Sequence, residues 1–246
     1  MYSGRGLHRQ VVEAIGTRIV GGFYEPGEAL YPERLERELG ISKTALREAL
    51  KVLAAKGLVD SRQKRGTFVR PRSAWSLLDA DLLRWQGSQP DGAFLDNLAE
   101  VRSIVEPAGA RLAALRRTEE DLTAMSDAVE AMVAAGTDPN AMVEADLRFH
   151  RALLDAAHNE LLSRMEVVIE AGLRIRDKIV HNARHWSDSV PEHRALLEAV
   201  RAGDAAAAAE ATEALLDLAR ADLARVREDS GVGRPNARHP DREPTR

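Results

Sequence analysis

The chain has 246 residues, of which 44% are hydrophobic and 4% aromatic, so it is long enough for two domains with separate cores. It contains no cysteine, which excludes disulfides and thiolate metal sites, and no apolar run that resembles a membrane span or a secretory signal. We therefore expect a cytoplasmic protein that does not contact a membrane. Residues 1–72 carry 14 Lys and Arg against 8 Asp and Glu. Residues 73–246 carry 21 Lys and Arg against 31 Asp and Glu. A basic amino-terminal region followed by an acidic remainder indicates a nucleic-acid-binding module joined to a domain with a second function.

The amino-terminal third predicts three helices, the last two of them joined by a tight turn. Residues 1–6 are expected to be disordered, and an apolar stripe over residues 7–21 predicts the first helix. A second helical pattern stops at Gly40, which suits a left-handed exit, and a third begins after Ser42, whose hydroxyl suits an N-cap. This arrangement is a helix-turn-helix.

Two alternating segments follow the helix-turn-helix and predict a wing, and a short strand near residues 28–30 precedes it. Basic side chains lie at the start of the third helix, where a recognition helix meets base edges, and at the tip of the wing. The alternative is that these side chains form a basic surface that is only solvated and binds no nucleic acid. The residues predicted to contact DNA on these grounds are Lys43, Thr44, Arg47, Lys64 and Arg65.

From residue 94 onward all periodicity is helical, and it predicts an antiparallel all-helical bundle in a mainly α protein. Proline at 71 marks the end of the first domain (1–72), and a connector with Trp75 and Trp85 spans 73–93. The bundle is assigned to 94–228 and a disordered tail to 229–246. The predicted helices are 94–116, 119–135, 140–157, 159–182, 189–201 and 204–228.

One pair of residues in the bundle has the spacing of metal ligands. Asp146 and His150 are four residues apart, so they project from one face of a helix and can share a divalent cation. His193, on a later helix, completes a ligand set if the two helices face each other. The alternative is that these are polar residues of an ordinary helical core.

Many positions of the winged unit together form a recognisable pattern. They are Gly27, Leu35, Leu39–Thr44, Leu46–Leu50, Leu53, Gly57–Val59 and Arg65–Val69. Through these residues the unit resembles the winged helix of the GntR family of bacterial transcription regulators. The resemblance also implies that Gly66 contacts DNA, and that Arg34 does so, although many relatives have arginine one position earlier, where Glu33 stands here.

The helical region has a recognisable pattern of its own between residues 94 and 225. The residues that carry it are Leu98, Arg102, Glu106–Pro107, Asp146–His150, Leu153, Leu154, Ala157, Asn159, Leu161, Glu192–Ala199 and Gly203–Asp204. Through them this region is similar to the FCD ligand-binding domain of the FadR branch of the GntR family. The resemblance implies a divalent metal, such as zinc, nickel or manganese, on Asp146, His150 and His193, with Leu215 where many relatives place a fourth ligand. It also implies an effector pocket lined by Arg102, Trp186, Ser189 and Arg220.

Together these features predict a homodimeric, ligand-responsive regulator, a repressor that binds a pseudo-palindromic double-stranded DNA operator. The connector and Leu215 are similar to regulators of sugar-acid catabolism, so the expected effector is a small organic acid such as galactonate. Two alternatives remain open. One is a metal-independent regulator that senses another organic or acyl acid, and the other is a metal-dependent hydrolase.

Overall fold

The computed structural model describes residues 4–62, 65–88, 90–182 and 189–229. It is mainly helical, as predicted, with one small sheet. The contacts divide the chain into two compact units, residues 1–101 with 164–175, and residues 102–163 with 176–246. The predicted connector, residues 73–93, falls within the first of these units. The elements are α1 (Gly4–Val20), β1 (Ala29–Leu30), α2 (Pro32–Leu39), α3 (Lys43–Ala55), β2 (Val59–Arg62), β3 (Gly66–Val69), α4 (Ala80–Gln86), α5 (Gly92–Arg116), α6 (Glu119–Ala135), α7 (Pro139–Asp155), α8 (Glu160–Ser163), α9 (Glu166–Asn182), α10 (Val190–Ala202) and α11 (Ala205–Asp229).

The predicted helix-turn-helix is confirmed. Gly40 follows α2 with a φ of 64°, the left-handed conformation that glycine adopts without steric cost. Ser42 precedes α3, and its Oγ accepts a hydrogen bond from the Ala45 N–H. Leu46 and Leu53 on α3 are buried in the core of this unit, which fixes the opposite face of α3 toward solvent.

The wing is a three-stranded antiparallel sheet with the order β1-β3-β2. β1 pairs with β3 through Ala29 and Phe68, which confirms the short strand predicted before the helix-turn-helix. Gly66 begins β3 with a φ of 99°, where a side chain would be strained. Lys64, predicted at the wing tip, lies outside the described residues.

The connector packs against the winged helix within the first unit. Trp85 on α4 is buried in the same apolar cluster as α1 and α3, and a Cβ added at Gly16 would overlap its ring. The Lys56 ammonium lies 2.7 Å from Asp79 Oδ1 and 2.7 Å from Asp81 Oδ2, so it joins α3 to the start of α4. The segment is therefore held by both an apolar contact and charge pairs.

Three predicted helix limits were wrong. α1 begins at Gly4, so residues 4–6 are helical and not disordered. α5 begins at Gly92, two residues before its predicted start at residue 94, because Asp91 Oδ1 accepts from the Phe94 N–H and caps the helix there. The helix predicted over 159–182 is two helices, α8 and α9, and nothing in the sequence marks the break between them.

The second unit is a helical bundle around one apolar cluster. α7 contributes Phe149 and Leu153, which are almost completely buried, and α10 and α11 contribute Leu196 and Leu215. α7 begins after Asp138, whose Oδ1 accepts from backbone N–H groups of the first turn. None of the helices in the described ranges is long and apolar enough to cross a membrane. Almost all of the predicted disordered tail lies outside the described residues, although α11 itself extends to Asp229.

Candidate functional site

Three predicted metal ligands meet inside the second unit. The spacing on α7 places Asp146 and His150 one turn apart, with Asp146 Oδ1 3.2 Å from His150 Nε2. α10 brings His193 to the same place, with its Nε2 2.9 Å from the same Asp146 oxygen. One donor atom from each residue lies within 4.8 Å of the others. The two helices therefore face each other as the ligand set requires.

A second layer of partners fixes the orientation of both imidazoles. The Nδ1 of His193 lies 2.6 Å from the Ser189 carbonyl oxygen, which can only accept, so Nδ1 carries a proton and Nε2 is the atom that faces Asp146. The Nδ1 of His150 lies 3.1 Å from Glu106 Oε2 on α5, although the two atoms are not aligned as a hydrogen bond. Both rings thus present Nε2 to Asp146, and such outer partners accompany histidines that bind metals.

Glu106 is the buried anion behind this cluster. Its side chain is 1% exposed, and its Oε1 accepts from Arg102 Nε at 2.5 Å, one turn earlier on α5. Burial raises the pKa of Glu106, but Arg102 and His150 outweigh burial and lower the pKa to about 2. Arg102 therefore stabilises the carboxylate that contacts His150.

The charges at the cluster favour its ionised carboxylates. Burial raises the pKa of Asp146, but hydrogen bonds from His150 and His193 hold it well below its usual range. Burial lowers the pKa of His150, but the attraction of Glu106 and the contact with Asp146 raise it to about 9. A cation is thus favoured between Asp146 and the two rings, and either a proton or a metal ion can supply that charge.

The donor set fits a divalent cation. One carboxylate oxygen and two imidazole Nε2 atoms are ligands for zinc and similar borderline ions, and three protein ligands leave positions open for water or for a bound oxygen ligand. Phe149 packs edge-on against both rings, with centroids 5.9 Å from His150 and 4.9 Å from His193, and shields this side of the cluster from solvent. The residues could hold a metal and present it to a small ligand.

The other residues predicted to line the effector pocket have different positions. Arg102 is buried and only 9% of its side chain is exposed, but its Nε–H is occupied by Glu106. Ser189 is buried at the start of α10 and contributes its carbonyl oxygen to His193. Arg220 is exposed on α11, where it pairs with Asp217, and it does not join the cluster. Trp186 lies outside the described residues.

Sequence reasoning missed the role of Glu106. In the sequence Glu106 belongs to the Glu106–Pro107 motif, and its four-residue spacing from Arg102 is the available signal of an ion pair. Its contact with His150 depends on the packing of α5 against α7, which no local pattern indicates.

The predicted DNA-contacting residues on α3 are exposed together. Lys43 and Thr44 occupy the first turn, and the Arg47 side chain is 71% exposed one turn later. Arg65 and Gly66 are exposed where the wing turns into β3. Arg34 on α2 is exposed but pairs with Glu38 at 2.6 Å. This face can offer basic and hydroxyl groups to a phosphate backbone and to base edges.

Comparison with known families identifies two domains in the chain. Residues 7–69 match the family described as bacterial regulatory proteins, gntR family, and residues 97–218 match the FCD domain. The chain belongs to the GntR family. The galactonate operon transcriptional repressor of Escherichia coli (strain K12) is 36% identical to it over 206 residues, which cover 82% of this chain and 90% of that protein.

One further relative and one solved structure match most of the chain. A protein proposed as the regulator of an L-lactate dehydrogenase operon in E. coli (strain K12) is 31% identical over 234 residues, covering 92% of this chain and 89% of that protein. The solved structure of Lar, described as controlling expression of the Listeria monocytogenes agr system, is 21% identical and has a TM-score of 0.66. It covers 89% of this chain and 96% of that chain, and it supports the fold. The GntR regulator is a DNA-binding transcription regulator and not an enzyme.

Proposed function

We propose that this GntR regulator is a repressor that leaves its operator when a sugar acid such as galactonate binds a divalent metal in the FCD domain. The observation that carries the proposal is the convergence of Asp146, His150 and His193, with both Nε2 atoms directed at one carboxylate oxygen. The relative named as the galactonate operon repressor supports the effector class. The repressor acts in the cytoplasm, where operator DNA is found.

The ligand set suits a metal that also binds the effector. A sugar acid has a carboxylate with a hydroxyl beside it, and two such oxygens can occupy the open positions of a three-ligand site. Among the described residues, only the Nε–H of the Arg102 guanidinium has a hydrogen-bond partner, so its terminal N–H groups remain for an anionic oxygen. Arg102 thereby serves both Glu106 and the effector carboxylate.

Two copies of the winged helix bind the two halves of a pseudo-palindromic operator, because a two-fold symmetric dimer requires matching half-sites. The effector acts by favouring an arrangement of the two winged helices that no longer fits those half-sites. Such couplings are typically about 1–3 kcal/mol, or roughly 5- to 150-fold in DNA affinity. A change of that size is enough to derepress a promoter.

The test measures operator binding with and without galactonate, before and after a chelator, on DNA selected in vitro for binding to the full chain. We expect galactonate to weaken DNA binding roughly 5- to 150-fold, and the chelator to abolish this response. His150→Ala should abolish it too, whereas His158→Ala should not, because His158 is half exposed and pairs with Asp121 away from the cluster. A galactonate response that survives both the chelator and His150→Ala would instead support the metal-independent regulator.

A further inference from the structure

α5 presents one narrow exposed stripe within the region that matches the FCD domain, residues 97–218. At about 100° per residue, the exposed positions between residues 97 and 115 fall within an arc of about 80°. The remaining positions between 97 and 115 are buried or half-buried. Two large apolar side chains of the stripe, Ile104 and Leu115, are each 65% exposed. The residues of the stripe are Asn97, Glu100, Ile104, Ala108, Arg111 and Leu115.

The order of residues along this stripe is complementary to itself. Single apolar side chains on a surface are common and need no partner, so exposure alone says little. When a helix packs antiparallel against a second copy of itself, however, residues at equal distances from the two-fold axis face each other. An axis midway between Ile104 and Ala108 brings these two residues together twice. The centre of such a contact is therefore apolar.

The same axis places opposite charges against each other. Glu100 precedes Ile104 by four residues and Arg111 follows Ala108 by three, so the midpoints of the two pairs differ by half a residue, or about 0.8 Å along the helix. Arg111 has no hydrogen bond or ion pair within the described part of one copy. A register with Ile104 against Leu115 would instead bring the two copies of Arg111 within about 4.5 Å of each other along the helix axis. The charges therefore select the register centred between Ile104 and Ala108.

We propose that two copies of the chain associate through this stripe of α5, in an antiparallel pair with Glu100 of each copy opposite Arg111 of the other. The inference rests on the proposed function, which requires a two-fold dimer and does not say where its copies meet. Opposite charges on either side of an apolar centre fix the register of an interface and disfavour other partners. The stripe is about 27 Å long at 1.5 Å per residue, which is enough for a contact of several helical turns.

Sedimentation equilibrium of the full chain tests this surface with Arg111→Glu, with Glu100→Arg and with the double variant. Each single substitution creates two like-charged contacts across the axis, so we expect dimerisation to weaken about 10- to 100-fold. The double variant restores opposite charges in both contacts and should recover most of the lost affinity. Arg194→Glu is the matched control, because Arg194 is 55% exposed on α10 and lies 3.6 Å from Glu130. It should leave the dimer unchanged.

Ile104→Asp provides a further variant that acts on the apolar centre of the contact. Because Ile104 is exposed in a single copy, the substitution should weaken dimerisation while the far-UV circular dichroism stays that of the folded chain. A wild-type dimer that none of these variants weakens, or single variants that the double variant does not rescue, would overturn this interface and leave the proposed regulator intact. A wild-type chain that is monomeric both alone and on operator DNA would overturn the two-fold dimer of the proposed function as well.

Discussion

Glu106→Gln tests the electrostatic description of the proposed metal site most sharply. The side chain keeps its size but cannot ionise, so it loses its attraction to Arg102 and to His150. Lowering the pKa of Glu106 from 4.5 to about 2 corresponds to about 3 kcal/mol of stability. Because the pKa is lowered on folding, this contribution is fully present above pH 4.5 and is lost as the pH falls toward 2. We expect the free energy of unfolding of the metal-free variant to fall by about 3 kcal/mol at pH 7, the lower limit for breaking a buried ion pair.

Urea unfolding at pH 7 and at pH 3 measures this difference, and titration with a divalent cation measures the metal affinity. The stability gap between wild type and variant should narrow at the lower pH, and the metal affinity of the variant should fall about 10- to 100-fold, as for other outer-shell partners. Glu130→Gln is the control, since Glu130 is 69% exposed and lies 3.6 Å from Arg194. A variant of Glu106 with unchanged stability and unchanged metal affinity would refute the assigned role of this carboxylate.

Three further predictions concern other parts of the chain. Arg47→Ala should weaken specific operator binding by about 1–3 kcal/mol if the guanidinium meets a base, as measured by fluorescence anisotropy, and unchanged affinity would exclude α3 as the recognition helix. Gly16→Ala should destabilise the first unit by about 1–3 kcal/mol, because the new methyl overlaps the ring of Trp85, and Trp85→Leu should restore part of the loss. Thr118→Ala should cost about 1 kcal/mol by breaking the reciprocal cap with Asp121. Since the cap lowers the Asp121 pKa, that stability is lost as the pH falls, and acid unfolding curves should converge.

Much of the fold follows from local sequence chemistry. Gly40 and Ser42 mark the turn of the helix-turn-helix, and Thr118 marks the start of α6, because a left-handed glycine or a side-chain oxygen satisfies groups that a helix end leaves unpaired. The break between α8 and α9 carries no such signal. Nor does the docking of α4, because it depends on a pairing of Gly16 with Trp85 across about 70 residues of chain.

The candidate site, like the fold, can be predicted from the sequence only in part. The four-residue spacing of Asp146 and His150 predicts a shared face from helix geometry alone, and the structure brings the two side chains together. The participation of His193 depends on how α10 packs against α7, which the family resemblance implied and spacing did not. Glu106 contributes through a contact between helices distant in sequence, so its role becomes visible only in three dimensions.

The central claim is that Asp146, His150 and His193 bind one divalent cation. Calorimetric titration of the metal-depleted full chain with zinc tests it directly, beside the same titration of His193→Ala. The account predicts one zinc ion per chain in the wild type and loss of that binding in the variant. A wild-type chain that binds no zinc, nickel or manganese, or a variant that binds as tightly as the wild type, would contradict it.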